Sequence, residues 1–341
     1  MITPRDAGLH MPAEWGPHAG TWLAWPSHEK LWGAELTLAR LAVARLVAAI
    51  ASGEAVHVLV PDEPHEASAR AALFQSSVHF HRVAFGDIWL RDTAPVFLVG
   101  PHGAAASVRF SFNGWGGKYV LDGDEAVASQ IAYFAGGLAY TMPLVLEGGS
   151  VEVDGEGSVL TTRQCLLNPN RNPGLGVSAI ERAVCDALGA EAVLWLDDGL
   201  ANDHTDGHVD TVARFVRPGV VVVMEARTSE DPNRDVLRAL AHAVAGLRDA
   251  RGRRLEVVRV PSPGLLPDSW GQPMPASYLN FYVSNACVVV PTYGAPWDDE
   301  AVERIGALFP GRRAIGLDAR AILTGGGAFH CITQQQPRPL P

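Results

Sequence analysis

Apolar positions recur along the chain with two spacings, one typical of helices and one typical of short buried strands. From Glu35 to Ala51 they return every three or four residues, which predicts an amphipathic helix that stops at Gly53. The same spacing predicts helices over Glu66–Phe74, Asp124–Gly136, Val177–Leu188, Asn233–Arg248 and Asp298–Phe309. Short apolar runs predict strands over Val56–Val60, Val78–Val83, Val96–Val99, Ala106–Phe112, Ser158–Thr161, Val193–Leu196, Val209–Phe215, Val220–Met224, Leu255–Val260, Tyr278–Val283 and Ala286–Val290, with a further strand-like run over Arg313–Leu323.

The alternation of helical and strand-like segments predicts an α/β fold. The predicted helices recur at roughly 50 to 65 residues, a spacing that could mark a repeated β/α module, although the segments share no sequence identity. The glycine- and proline-containing stretches Pro169–Gly176 and Pro261–Pro275 are predicted loops. Since no long flexible linker divides the chain, we expect residues 1–341 to form a single domain.

The composition is that of a globular protein, and it limits the classes of function. Of the 341 residues, 48% are hydrophobic and 19% are charged, and the formal net charge is −10. An acidic chain without a long basic run is a poor candidate for binding nucleic acid, and no apolar stretch is long enough to cross a membrane. Four cysteines stand far apart without a CxxC pair. Together with an N-terminus unlike a signal peptide, this spacing suits a cytoplasmic protein.

Cys331 is the most distinctive cysteine, because the three consecutive glycines Gly325 to Gly327 closely precede it. A glycine run lets the backbone bend sharply or approach a ligand, so the thiol that follows could face a substrate. Cysteine is also the side chain that is most nucleophilic at neutral pH. A single cysteine is often a small buried side chain instead, and the local sequence leaves both interpretations open. We expect the adjacent His330 to have a packing or hydrogen-bonding role.

A second concentration of polar residues surrounds His208 and Asp210. We predict a strand that begins near His208, and residues i and i+2 of a strand share one face, so both side chains could enter one pocket. A histidine beside a thiol activates it, and Glu147, which lies before two glycines, could orient that histidine. The alternatives are a surface strand edge for His208 and Asp210 and a turn carboxylate for Glu147.

Asp92 could join Asp210 in binding a cation, because carboxylates accept the paired N–H donors of a planar guanidinium. Asp92 could instead pair with the adjacent Arg91 or cap a turn. Trp89 and Trp115 could provide aromatic walls for a cation, or they could belong to the core.

A metal site is another interpretation of this region, with His204, His208 and Asp210 as ligands. The sequence offers neither an HExxH helix nor paired cysteines in its support. The glycine run before Cys331 also lacks the spacing of a phosphate-binding loop.

Taken together, these stretches resemble the agmatine deiminase family, which is related to the bacterial type of peptidyl-arginine deiminase. The resemblance runs nearly from end to end, and its strength comes from the number and order of the motifs. The matching stretches are Met11–Trp15, Thr21–Pro26, Trp89–Thr93, Phe112–Tyr119, Leu146–Ser150, Leu166–Pro173, Thr205–Asp210, Gly325–Gly327 and His330–Gln335.

The resemblance implies a five-bladed, pseudo-symmetric α/β-propeller of the pentein type, with a central pocket. It implies hydrolysis of a guanidinium carbon–nitrogen bond without a metal or an organic cofactor, and for agmatine the products would be N-carbamoylputrescine and ammonia. Cys331 would be the nucleophile, His208 the general acid and then the base, and Glu147 the residue that orients His208. The resemblance makes a homodimer possible, and the residues expected at the small cationic guanidino substrate are Asp92, Asp210, Trp89, Trp115, Gly326 and His204.

Several positions depart from the family pattern. Ala328 and Phe329 stand where asparagine and isoleucine are common, His204 stands where some members carry an acidic residue, and Ala94 stands where glycine is frequent. These departures leave another ω-guanidino compound, such as free or peptidyl arginine, as an alternative substrate. An amidinotransferase and a binding propeller without catalysis are the further alternatives.

Overall fold

The strands of the protein are short and numerous, as the apolar runs predict. The computed structural model describes residues 2–339. Its strands are β1 (His18–Ala24), β2 (Ala55–Val60), β3 (Val78–Arg82), β4 (Val96–Val99), β5 (Ala105–Ser111), β6 (Leu138–Val145), β7 (Val151–Val153), β8 (Ser158–Thr162), β9 (Ala192–Leu196), β10 (Ala213–Arg217), β11 (Val220–Glu225), β12 (Glu256–Pro261), β13 (Tyr282–Val283), β14 (Cys287–Thr292), β15 (Arg313–Asp318) and β16 (Thr333–Pro337).

The helices range from single turns to four turns in length. They are α1 (Glu29–Trp32), α2 (Leu36–Ile50), α3 (Glu63–Ala72), α4 (Leu90–Thr93), α5 (Gly114–Gly117), α6 (Asp124–Ala135), α7 (Arg163–Leu166), α8 (Val177–Leu188), α9 (Arg234–Gly246), α10 (Asp298–Ala307) and α11 (Arg320–Leu323). Single 3₁₀ turns lie at Gly33–Glu35, Pro101–Gly103, Gly148–Ser150 and Val209–Thr211. None of the helices within residues 2–339 is long and apolar enough to cross a membrane.

One connectivity is repeated in the five sheets found within the described residues. In the sheet β4-β5-β6, for example, β4 and β5 are antiparallel, and α6 connects β5 to the parallel strand β6. The sheets β7-β8-β9, β10-β11-β12 and β13-β14-β15 follow the same pattern. In the sheet β16-β1-β2-β3, the C-terminal strand β16 takes the antiparallel position beside β1. The five sheets therefore fit a layout of five β/α modules.

All six predicted helices are present, with small shifts at their ends. The helix predicted over Val177–Leu188 has those bounds, whereas the helix predicted from Glu66 begins three residues earlier as α3. It begins there because Asp62 caps it by accepting a hydrogen bond from the backbone N–H of His65. Proline also suits its first turn, where no backbone donor is needed.

The strand predictions contain errors that matter for the site. The strand predicted over Val209–Phe215 begins only at Ala213, because Val209–Thr211 forms a 3₁₀ turn, so His208 and Asp210 do not share a strand face. The strand predicted over Tyr278–Val283 is confined to its last two residues. The run Arg313–Leu323 divides into β15 and α11. The strands β1, β6, β7 and β16 were not predicted.

Two clusters of buried apolar side chains fill the fold. The larger cluster joins the helix α2 and the sheets of β1, β10 and β13, while the smaller one lies around the sheets of β4 and β7 and the helix α8.

Candidate active site

The predicted catalytic residues and the two predicted substrate carboxylates lie in equivalent connections of the fold, each a few residues before the antiparallel first strand of a sheet. The connection before β13 carries Asn280, which the sequence analysis did not single out. The signal for Asn280 in the sequence was its position as a polar residue inside the apolar run Tyr278–Val283. In the other connections the residues are Asp92 before β4, Glu147 before β7, His208 and Asp210 before β10, and Cys331 before β16.

Asn280 holds the loop that carries Cys331. Its side-chain oxygen accepts hydrogen bonds from the backbone N–H groups of Ala328 (3.1 Å), His330 (3.1 Å) and Cys331 (3.2 Å). Its side-chain nitrogen donates to the sulfur of Cys331 at 3.0 Å. One side chain therefore fixes the backbone of the loop and contacts the sulfur atom itself.

The glycines before Cys331 are required by close packing and by backbone conformation. A Cβ atom at Gly327 would stand 2.8 Å from the ring of Trp89 and 3.0 Å from the Cys331 sulfur, and one at Gly325 would stand 2.5 Å from the Trp89 ring. Gly326 has a φ of +102°, which favours glycine. The glycine run thus lets Trp89 and the loop approach each other beside the thiol.

Three side chains converge on Gly149. A Cβ atom at this position would stand 2.6 Å from Nδ1 of His208, 3.0 Å from Oδ1 of Asp92 and 3.1 Å from Oδ2 of Asp210. The thiol of Cys331 is also directed at Oδ2 of Asp210, at 3.7 Å. The structure therefore brings the predicted nucleophile, the predicted acid and both predicted substrate carboxylates together.

Asp92 does not pair with its neighbour Arg91. It accepts hydrogen bonds from the indole N–H of Trp115 at 2.8 Å and from the backbone N–H of Gly149 at 3.0 Å. The Arg91 guanidinium instead lies 3.5 Å from Oε2 of Glu14 and donates to a side-chain oxygen of the C-terminal strand. Burial raises the pKa of Asp92, although the imidazole of a nearby histidine lowers it. The local interpretation of Asp92 as an ion-pair partner of Arg91 is therefore wrong.

Glu147 is fully buried and is not an ordinary turn carboxylate. Its Oε1 accepts a hydrogen bond from Nε of Arg171 at 2.7 Å, and its Oε2 lies 4.0 Å from Nε2 of His208. Burial raises the pKa of Glu147, whereas the positive charges of His208 and Arg171 lower it. Arg171, which sequence reasoning missed as a functional residue, keeps the carboxylate beside the histidine.

His208 is buried between carboxylates on both sides of its ring. Nδ1 lies 3.7 Å from Oδ1 of Asp92, and within residues 2–339 neither ring nitrogen has a hydrogen-bond partner. Burial disfavours the charged imidazole, but Asp92, Cys165 and Glu147 together outweigh it, so the pKa of His208 lies well above its usual value. The histidine is thus held as a proton donor.

Asp210 is buried, which contradicts the alternative of a surface strand edge for this residue. Its Oδ2 lies 2.7 Å from Nδ1 of His330, whose Nε2 lies 2.8 Å from Oε2 of Glu14. Burial opposes ionisation of Asp210, but the bond to His330 and the positive charges of His330, His208 and Arg214 together lower its pKa. The expected hydrogen-bonding role of His330 is confirmed, and Glu14 is a second residue that sequence reasoning missed.

The thiol of Cys331 is disfavoured as a free anion. Burial raises its pKa well above the usual value, and the carboxylates of Asp210 and Asp92 raise it further. The hydrogen bond from the side chain of Asn280 to the sulfur lowers the pKa of Cys331. A cation placed between the two carboxylates would remove part of this penalty.

A cavity of about 240 Å³ opens onto the thiol. It is lined by six of the predicted site residues, whereas His208, Glu147 and Asp210 do not line it and are fully buried. At its outer part, Nδ1 of His204 lies 3.3 Å from the hydroxyl of Tyr119. The six predicted residues in the cavity wall are Trp89, Asp92, Trp115, His204, Gly326 and Cys331.

The alternative of a metal site at His204, His208 and Asp210 is not supported by the geometry of these three residues. Among residues 2–339, potential ligand atoms of Glu147, Cys165 and His208 lie within 4.8 Å of one another, and neither His204 nor Asp210 belongs to this group. Burial raises the pKa of the Cys165 thiol, so its anionic form is disfavoured. His204 instead contacts the aromatic side of the cavity.

Comparison with known proteins agrees with this arrangement. The chain is 39% identical over 363 residues to an agmatine deiminase of Ectopseudomonas mendocina, covering 99% of this chain and 98% of that protein. It is 39% identical over 364 residues to an agmatine deiminase of Stutzerimonas stutzeri, with the same coverage. The structure matches that of an agmatine deiminase of Enterococcus faecalis with a TM-score of 0.94 and 33% identity, covering 100% of this chain and 99% of that one. A family model described as Porphyromonas-type peptidyl-arginine deiminase matches residues 10–337, and the chain belongs to this family.

Proposed function

We propose that this protein is an agmatine deiminase, which hydrolyses agmatine to N-carbamoylputrescine and ammonia. The observation that carries the proposal is the convergence of Cys331, His208 and two buried carboxylates at one end of a cavity of about 240 Å³. Asp92 and Asp210 would each accept N–H donors of the guanidinium group, and the aromatic rings of Trp89 and Trp115 would enclose it. The relatives named above support agmatine as the substrate.

The reaction divides into two steps on Cys331. Once the bound guanidinium neutralises Asp92 and Asp210, the thiol of Cys331 releases its proton to solvent and the sulfur attacks the guanidinium carbon. The carbon–nitrogen bond then breaks as His208 gives its proton to the departing ammonia. This leaves an S-alkylthiouronium on the enzyme. His208 then removes a proton from water, whose oxygen attacks the same carbon, and the carbon–sulfur bond breaks to give the ureido product. Glu147 would orient His208 and stabilise its charged form through both steps.

We infer that the five modules form a five-bladed α/β-propeller around this site and that residues 1–341 are one catalytic domain. The repeated connectivity of the five sheets supports the propeller. The convergence of connections from different sheets on the same carboxylates and thiol supports the single domain, because no sheet alone contains the site. A homodimer and a cytoplasmic location stay predictions from the sequence.

A second substrate class is favoured by the outer part of the cavity, where the imidazole of His204 lies beside Tyr119. An imidazole and a phenol can bind polar groups of different charge, so a deiminase of another ω-guanidino compound is the second candidate. A substrate panel separates the two. Agmatine, arginine, a peptidyl arginine and 4-guanidinobutyrate would be incubated with the enzyme, with and without EDTA, while ammonia and ureido product are measured.

We expect agmatine to be the best substrate, with turnover unaffected by EDTA. Cys331→Ala should abolish product formation, while Cys185→Ala, which changes a buried cysteine on α8, should not. Preference for another compound would reject agmatine but keep the chemistry. No turnover of any guanidine would reject the enzyme, and loss of activity in EDTA would restore the metal interpretation.

A further inference from the structure

Three histidines form a cluster in the first sheet, outside the proposed active site. His57 on β2 lies directly opposite His79 on the parallel strand β3. Side chains two residues apart on a strand point to the same face, so His81 lies on that face as well. The reaction at Cys331 uses none of these three side chains, so their grouping needs another explanation.

Two of the three rings already have a separation close to that of metal ligands. Nδ1 of His57 lies 3.0 Å from Nε2 of His81. Two imidazole nitrogens bound tetrahedrally to zinc at about 2.0–2.1 Å would lie about 3.3–3.4 Å apart. A movement of a few tenths of an ångström would therefore admit an ion between them.

The third ring is near but must rotate. The ring centroid of His79 lies 5.3 Å from that of His57. His79 is exposed to solvent, so its side chain has room to change rotamer. Rotation about its side-chain bonds would bring a nitrogen to the same ion from the outer side, and water would complete the ligand set.

Aromatic neighbours hold the first two rings in place. The indole of Trp22 stacks on His57 with centroids 4.3 Å apart, and it lies 4.9 Å from the ring of His81. The ring of Phe134 also lies beside that of His81, at a centroid distance of 4.7 Å. A ligand whose orientation is fixed by its surroundings loses less conformational freedom when it binds an ion.

We propose that His57, His79 and His81 form a site for a divalent transition-metal ion such as Zn²⁺ or Cu²⁺, apart from the catalytic cavity. In the metal-free protein one of the two facing nitrogens donates its proton to the other. On binding, that proton moves to the outer nitrogen of the same ring or to solvent, so that both inner nitrogens coordinate the ion. The ion would connect β2 to the edge strand β3 and stabilise the first sheet.

Zinc titration of the full-length protein by calorimetry tests the site. We expect one ion per chain at this site, and His81→Gln should weaken its binding by about tenfold or more. The matched control is His65→Gln, which changes a partly exposed histidine on α3 that bonds to Asp62 outside the cluster. This control should bind zinc as the unchanged protein does.

Paramagnetic resonance with Cu²⁺ counts the ligands directly. The unchanged protein should show three coordinated imidazole nitrogens, and His79→Gln should show two. Unaltered zinc affinity in His81→Gln would overturn the proposal, as would the absence of binding up to about 1 mM zinc. Loss of the binding event in Cys331→Ala would also overturn it, because the ion would then occupy the catalytic cavity.

Discussion

Replacing Asn280 with alanine should remove the hydrogen bonds that stabilise the Cys331 thiolate and the loop that carries it. The substitution removes the amide nitrogen that lies 3.0 Å from the Cys331 sulfur. It also removes the oxygen that accepts bonds from the backbone N–H groups of Ala328 and Cys331. The backbone N–H of His330 keeps a second acceptor, the main-chain oxygen of Asn280, at 3.1 Å. The change therefore acts on the thiolate, on two loop hydrogen bonds and on a longer bond from the amide nitrogen to Oδ2 of Asp210, at 3.4 Å.

The expected loss of activity follows from the bond to sulfur. A hydrogen bond to a charged group contributes about 1.5–3 kcal/mol. Since about 1.4 kcal/mol corresponds to a tenfold change in rate, kcat/KM should fall by about 10- to 150-fold. Each backbone N–H that loses its acceptor would cost about 1–3 kcal/mol of folding free energy unless water replaces the oxygen. The variant should remain folded but be less stable.

Two measurements distinguish these effects. The pH dependence of alkylation of Cys331 by iodoacetamide reports the thiolate, and it should shift to higher pH in Asn280→Ala. Urea unfolding reports the loop. The matched control is Asn285→Ala, because Asn285 bonds to the main chain of His18, away from the thiol. If folded Asn280→Ala is alkylated with the unchanged pH dependence and retains kcat/KM within about threefold, the amide does not stabilise the thiolate.

Three further predictions concern the buried charges. Glu14→Gln removes a carboxylate that lies 3.0 Å from the guanidinium of buried Arg214. The free energy of unfolding, measured by urea titration, should therefore fall by about 3–5 kcal/mol. An unchanged urea midpoint would show that the Glu14–Arg214 ion pair contributes nothing to stability. Trp115→Phe removes the bond to Asp92 and should raise KM for agmatine by about tenfold, equivalent to about 1.4 kcal/mol, with the fold retained; an unchanged KM would contradict the role of this bond. The carboxylate of Asp92 raises the pKa of Cys331, so Asp92→Asn should shift thiol alkylation to lower pH while deimination is lost. A shift to higher pH would show that the Asp92 carboxylate lowers the pKa of Cys331 instead of raising it.

The parts of the fold that depend on local pattern could be predicted from the sequence. The apolar face of α8 predicts its full extent, and α2 is predicted to within a residue at either end. The glycine run before Cys331 also has a local cause, since Gly325 and Gly327 pack against Trp89. Such features act over a few residues, and a single sequence displays them directly.

The remaining features depend on contacts between distant parts of the chain. The strand β16 is rich in glutamine and has no apolar run, and it forms because β1 offers an antiparallel partner. His330 bonds to Glu14 across 316 residues of sequence, and Asn280 reaches the sulfur across 51. No local pattern reports such pairs. The error at His208 has the same origin, because a turn that places its ring beside Asp92 replaces the strand that its apolar neighbours predict.

The proposed mechanism also explains why a protonated thiol suits this site. In the free enzyme, burial and the charges of Asp92 and Asp210 raise the pKa of Cys331, so the thiol resists ionisation and side reactions. A guanidinium bound by both carboxylates neutralises them and makes the thiolate available at the moment when its target is present. The ureido group that replaces the guanidinium is uncharged and cannot neutralise the two carboxylates. After hydrolysis the two carboxylates again oppose the thiolate, which takes up a proton, and the reverse attack on the product is disfavoured.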